Sequence, residues 1–289
     1  MFELLRELFS YDFIIRAMIV GILVALCAAL LGVSLVLKRY SMIGDGLSHV
    51  GFGTLAIAMS LGLAPLQVSI PLVLLAAFLL LRISENSKIK GDAAIALISG
   101  SALAIGVLVI SLTTGLNADV CNYMFGSILA MKMDDLYVSV AVAIVVLILY
   151  VLFYNRIFAV TFDEHFAGAT GTRVGVYNML IAFLTALVIV VGMRMMGAML
   201  ISSLIIFPAL SSMRVFGSFK RVVICSAILS VLCFFVGLVV SFALDTPAGA
   251  SIVLANLLAF CIFALVGFLR RRFLLKTHTG EERMEGTIK

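Results

Sequence analysis

Residues 41–60 read SMIGDGLSHVGFGTLAIAMS. Asp45 and His49 stand four positions apart in a run that is otherwise apolar or small. On a helix, positions i and i+4 share a face, so the carboxylate and the imidazole lie side by side. Gly44, Ser48 and Gly51 line one face at i, i+4 and i+7. Small residues in that pattern let helix backbones approach closely inside a membrane bundle. The stretch therefore reads as a helix packed within a bundle and not against lipid.

The rest of the chain requires a membrane around that bundle. Of 289 residues, 64% are hydrophobic and 12% charged, and none is tryptophan. A soluble domain carries about 25% charged residues. Here the polar residues are too few to cover the apolar surface. The expected architecture is all-α, a polytopic helical membrane protein in one transmembrane domain over residues 1–275, followed by a polar tail over 276–289. The first 18 residues, MFELLRELFSYDFIIRAM, mix acids and arginines with apolar residues. They read as an amphipathic interfacial helix leading into the first span, not as a cleaved signal. Four of the five cysteines lie in apolar runs and no C-x-x-C occurs. They read as inert buried thiols.

A span needs about 20 predominantly apolar residues. Nine candidates fall near 14–37, 42–62, 65–81, 93–113, 136–154, 177–193, 195–213, 222–244 and 248–269. The stretch 114–131 is too polar to face lipid and reads as an outer loop with a short re-entrant helix. Of the 20 basic residues, 16 fall in alternate loops and the tail, from Lys38 and Arg39 to Arg270, Arg271 and Arg272. The exceptions are Arg6, Arg16, Lys132 and Arg194. By the positive-inside rule the tail is cytoplasmic and the N-terminus outside. That placement also explains the net charge of +5 without a nucleic-acid partner. On this topology Asp119, Asp134, Asp135 and Asp245 face outside, where solvated loop acids are the ordinary reading. Asp92, with Gly91, is expected to cap the fourth span, and the tail from Lys276 to be mobile.

An ionisable side chain at membrane depth is costly and faces a bundle interior or a water-filled path. One carboxylate and one imidazole suit Zn²⁺, Mn²⁺ or Fe²⁺. One helix supplies only two ligands where zinc wants four. Two copies about a two-fold axis would supply two Asp and two His. The alternative is that Asp45 caps or pairs locally and His49 is an interhelical hydrogen bonder. The spacing leaves both open.

Four stretches together resemble the integral-membrane permeases of metal-ion ABC importers, the zinc/manganese/iron group. They are LKRYSMIGDGLSHVGFG (37–53), ADVCNYMFGSILAMKMDDL (118–136), MGAMLISSLIIFPALSSMR (196–214) and LDTPAGASIVL (244–254). The second and fourth look most like zinc-uptake members. The resemblance implies a homodimer whose halves are related to vitamin B12 and siderophore importer permeases. It also implies a cytoplasmic ATP-binding subunit on each half and an extracytoplasmic metal-binding protein, in a bacterial cell (inner) membrane. No cofactor would be bound permanently; the divalent metal, Zn²⁺ or Mn²⁺, would be the cargo. Asp45 and His49 would meet it in the translocation path. Gly46 stands where members often carry Ala or Thr.

The loop FDEHFAGATGTRVG (162–175), within a coupling segment of about 160–176, is expected to hold a short helix from Asp163 to Ala169 ended by Gly171. In the family this loop resembles the coupling helix that docks on the ATPase. The resemblance thus assigns Asp163, Glu164, Phe166, Ala167, Gly168 and Gly171 to that contact; an ordinary connecting loop is the alternative. His165 reads as a surface residue. Pro208 lies inside the seventh span as either a hinge or a static bend, and Ser202, Ser203, Ser211 and Ser212 would satisfy the freed backbone or line a polar path. Thr246 and Pro247 read as an N-cap and a first helical residue. Asp245 beside them is a candidate outer contact for metal or partner. Met193, Met195, Met196 and Met199 read as core filler before a soft-metal path.

No G-x-x-x-x-G-K-[ST] motif occurs, so the chain reads as a transport subunit and not an ATPase. The runner-up is an ion-coupled secondary metal carrier, which usually needs several intramembrane acids; Asp45 and Asp92 are the only candidates. An intramembrane hydrolase built on Ser48, His49 or Asp45 lacks a G-x-S-x-G elbow and an evident second aspartate.

Overall fold

The structure, a computed structural model, describes residues 11–86, 91–113 and 133–285. Everything regular among them is helical: α1 Asp12–Leu37, α2 Ile43–Ser60, α3 Pro65–Asn86, α4 Gly91–Leu112, α5 Met133–Leu152, α6 Tyr154–Phe162, α7 Glu164–Ala169, α8 Val174–Met196, α9 Ala198–Val215, α10 Phe219–Leu244 and α11 Ala248–Glu285. Seven of these are long and apolar enough to cross a membrane. The two helices at the second and seventh expected spans, α2 and α9, have 18 residues each and fall outside that set. Both are interior. Thirteen of the 18 residues of α2 are buried, so the helix needs no continuous lipid-facing apolar surface and can carry glycine, serine, aspartate and histidine.

Lipid is as apolar as leucine, so helices in a membrane associate through close packing and hydrogen bonds instead of a hydrophobic drive. α1 is the central rod, packed against α5, α8, α9 and α10. A Cβ added at Gly32 would lie 1.9 Å from the carbonyl oxygen of Ile205, so α1 and α9 cross in backbone contact there. The Ser230 hydroxyl donates to the Ala25 carbonyl at 2.9 Å and fastens α10 to α1. Outer helices show the opposite pattern: Leu97, Ile105 and Leu108 of α4, and Leu254, Leu258 and Ile262 of α11, are exposed where acyl chains would cover them.

Several boundaries differ from the sequence reading. α11 runs through position 275 to Glu285, so the expected mobile tail is helical there. The segment LLKTHTGEERME is made largely of helix formers with a single glycine and no proline. α10 ends on Asp245 in the left-handed region (φ 51°), a conformation an aspartate tolerates, and α11 starts at Ala248. The Thr246 hydroxyl therefore faces the Ser251 hydroxyl at 2.8 Å and does not cap the helix as expected. α4 begins at Gly91, so Asp92, expected to cap it, lies within its first turn. The expected re-entrant segment 114–131, the N-terminal interfacial helix before Tyr11, and the residues 286–289 lie outside the described residues.

Candidate functional site

α2 is held on two sides by small-residue contacts. Gly46 and Gly53 face α4: a Cβ at either would meet Ile95 Cγ2 at 2.6 Å or the Ala102 carbonyl oxygen at 2.5 Å. Gly44 and Gly51 face α9 and α8, against Ile205 and Met193. Met193 is buried and its methyl group fills the groove that Gly51 leaves, as core filler does. Ser48 is buried and its hydroxyl donates to the Asp45 carbonyl at 2.7 Å, so it is tied to its own helix.

Asp45 and His49 point the other way. Their side chains are 47% and 30% exposed on a helix that is otherwise mostly buried, with exposed Met42 preceding them. His49 Nε2 lies 3.6 Å from Asp45 Oδ2, an electrostatic contact longer than a normal hydrogen bond. Both groups thus keep polar atoms open along one edge of the helix. Asp45 sits in the first turn of α2, where the helix dipole favours a carboxylate. One turn deeper, His49 is about 6 Å further along the axis. No group of three or more His, Cys, Asp or Glu converges among the described residues. Asp45 and His49 thus stand as a pair, with no third such side chain beside them among the described residues.

The expected short helix is present as α7, Glu164–Ala169. Asp163 is its N-cap and accepts the Phe166 N–H at 3.0 Å. Gly171 closes it at φ 84°, a conformation glycine adopts without strain. The sequence reading assigned one contact role to the whole segment, and the structure divides it. Phe166 is 66% exposed and Gly168 is exposed, whereas Ala167 is fully buried and anchors the helix. Glu164 reaches inward: its Oε1 is 2.6 Å from Lys38 Nζ at the end of α1, and Asn178 of α8 donates to it at 3.4 Å. Lys38 also donates to Asn178 Oδ1. His165 is exposed, as expected.

The opposite end of the bundle holds a second ion pair. Arg194, in the last turn of α8, lies 2.7 Å from Asp135 in the first turn of α5, and the two side chains are only 12% and 11% exposed. Asp135 is thus not the solvated loop acid its sequence neighbourhood suggests. Pro208 lies inside α9. Ser202, Ser203 and Ser211 donate to Ala198, Leu200 and Phe207 carbonyls of that helix, so their hydroxyls serve its backbone instead of lining a path. Asp245 is exposed at the start of the α10–α11 turn, far in sequence from Asp45 and His49 and outside the helix that carries them.

Comparison with known proteins places this architecture. Residues 10–267 match the ABC 3 transport family. The manganese import system permease protein ScaB of Streptococcus gordonii is 31% identical over 90% of this chain and 93% of its own length. The high-affinity zinc uptake system membrane protein ZnuB of Haemophilus influenzae is also 31% identical, over 91% of this chain and 99% of its own. Among solved structures, PsaBC from Streptococcus pneumoniae in complex with Fab superposes with a TM-score of 0.81 at 31% identity, covering 90% of this chain and 94% of that one.

Proposed function

This chain belongs to the ABC 3 transport family, and from that premise we propose that it is the permease subunit of an ATP-driven importer for a divalent transition metal, zinc or manganese. The observation that carries the reading is the Asp45–His49 pair on the one open edge of a helix buried almost everywhere else. A carboxylate and an imidazole are suitable donors for either ion. A half-site on an uncovered edge becomes a four-ligand site when a second copy brings its own pair across a two-fold axis. The functional unit is then a homodimer, with the metal passing between the two α2 helices by alternating access. The relatives named for manganese and for zinc are equally similar to this chain, so the preference for zinc read from the motifs gains nothing from them.

The end of the bundle that carries Lys38, Arg39, Arg156 and Arg173 is the cytoplasmic face, by the positive-inside rule. There a separate ATP-binding subunit docks on α7, with exposed Phe166 as the anchor and Gly168 beside it. Asp163 and Gly171 shape the helix, and Ala167 and Glu164 hold it to the permease. The N-terminus lies outside and the C-terminus inside, and an extracytoplasmic binding protein delivers the metal to the opposite face, where Asp245 is exposed. Pro208 provides the bend about which α9 adjusts. An ion-coupled secondary carrier is the weaker reading.

The test is uptake of Zn²⁺ and Mn²⁺ into proteoliposomes holding the permease, its ATPase and its binding protein. ATP-dependent uptake that Asp45→Ala and His49→Ala each abolish, with assembly intact, is the expected result. Uptake driven by a proton gradient without ATP would overturn the importer reading, and wild-type uptake by both variants would remove the pair from the path.

A further inference from the structure

The ion pair at Lys38 joins elements that the proposed function treats separately. Lys38 caps the end of α1. Five residues later α2 begins, and that turn is tightly bonded: Tyr40 N–H donates to the Leu35 carbonyl at 2.9 Å and Ile43 N–H to the Tyr40 carbonyl at 3.0 Å. Arg39 within it adopts φ 62°, a conformation that non-glycine residues rarely hold. The turn has little slack. A displacement of Lys38 is passed to Ile43, the first residue of the helix that carries Asp45.

The Lys38 side chain does not extend to solvent as a surface lysine would. It is 5% exposed and lies over a small pocket lined by Leu35, Tyr40, Ile43, Leu81 and Ile181. A buried ammonium is costly unless it is paired and hydrogen-bonded. Its partners come from two other elements, Glu164 of α7 at 2.6 Å and Asn178 of α8. Asn178 completes the triangle by donating to Glu164. Moving α7 away while α1 and α8 stay would leave the ammonium buried without its carboxylate. The position of α7 is therefore energetically tied to the α1–α2 turn, and α8 is the fixed member of the triangle.

We propose that Lys38, Glu164 and Asn178 form the internal link that transmits movement of α7 to α2, with Lys38 as the positioning residue between the docking helix and the Asp45–His49 pair. The link rests on the reading of α7 as the ATPase-docking helix and of α2 as the metal-bearing helix. It predicts a specific defect: when the link is cut, ATP hydrolysis continues and metal movement does not follow.

The experiment uses the full complex of permease, ATPase and binding protein in liposomes, and measures Zn²⁺ or Mn²⁺ taken up per ATP hydrolysed. Glu164→Gln keeps the shape of a half-exposed side chain, and Lys38→Met removes the buried charge. Each is expected to lower the ratio at least about fivefold, the lower edge of ordinary coupling between sites, with ATPase association and hydrolysis retained. The exchange Lys38→Glu with Glu164→Lys is expected to restore the ratio, because the Asn178 amide can turn over and serve both groups in reversed order. A structural role alone would lower hydrolysis, uptake and complex yield together, leaving the ratio unchanged, and that outcome overturns the link. So does a wild-type ratio in both single variants. A wild-type complex that shows no ATP-dependent uptake at all would instead sink the importer reading beneath it.

Discussion

Gly53→Ala is the sharpest test of how α2 is held. The Cβ that alanine adds would lie 2.5 Å from the Ala102 carbonyl oxygen and 3.2 Å from the carbonyl carbon. Both atoms are α4 backbone, so no rotamer change can clear them. Ordinary contact begins near 3.4 Å, so α2 and α4 must separate locally by about 0.9 Å. The contact is reciprocal: a Cβ at Gly106 would lie 2.9 Å from Gly53 Cα. Overpacking of this kind costs about 1–3 kcal/mol, set against about 1 kcal/mol gained from replacing a helical glycine by alanine. Gly100→Ala on α4 is the control, since a Cβ there meets nothing within 4 Å and only the propensity gain remains. The difference between the two variants isolates the packing cost of about 1–3 kcal/mol. At about 2–4 °C per kcal/mol that separates their melting midpoints by roughly 2–12 °C, Gly53→Ala melting lower. The midpoint can be followed with a thiol-reactive fluorogenic dye after Cys121, Cys225 and Cys261 are replaced by serine, because Cys27 and Cys233 are buried until the bundle opens. Coincident midpoints, or a higher one for Gly53→Ala, would refute the claim that α2 and α4 meet backbone to backbone.

Arg194→Met leaves Asp135 in its buried position without its arginine and is expected to cost about 3–5 kcal/mol, whereas adding Asp135→Leu should return most of that loss; the same melting assay reads both. Phe166→Ala should weaken binding of the ATPase subunit by at least about 2 kcal/mol, roughly thirtyfold, as an exposed aromatic anchor does, and a binding titration in detergent checks it against an unchanged melting midpoint for the permease alone. Pro208→Ala returns a backbone N–H to α9 and is expected to lower the uptake rate without lowering the melting midpoint. Unchanged uptake would make Pro208 a static bend.

What the sequence made legible was what composition and spacing control. Long apolar runs located all nine rods, because lipid contact and a packed bundle interior both select apolar side chains. The small residues of 44–53 placed α2 in the interior, since glycines at helical spacing have no other use there. The expectation that all nine would be long apolar spans failed at α2 and α9 for the same reason: an interior helix is freed from the lipid requirement. The acids and bases were read less well. Asp135 and Arg194 lie 59 positions apart, and Lys38 lies 126 from Glu164 and 140 from Asn178. Counting charges by loop assigns each to a face of the membrane but not to a partner, because pairing depends on how helices are rotated against one another. The same blindness gave the buried Ala167 to the outer surface of α7 and did not show that the half-exposed Glu164 also reaches Lys38. A six-residue helix offers too few positions for a period to show which side is buried.

The two ion pairs also say something that neither says alone. Asn178 lies in the second turn of α8 and Arg194 in its last, about 24 Å apart along the helix at 1.5 Å per residue. Each end of α8 is thus fastened by a charge whose desolvation makes it costly to release. Between them Gly192 packs on Val24 and Ile201, and Met193 fills the groove at Gly51. A helix pinned at both ends and packed along its length is poorly suited to be the moving part. α2 is different. It meets its neighbours through glycines and apolar contacts, its charged residues face an open edge, and its one connection to the charged network runs through the Lys38 turn. α2 is thus joined to α8 by an apolar contact, Met193 on Gly51, and not by an ion pair.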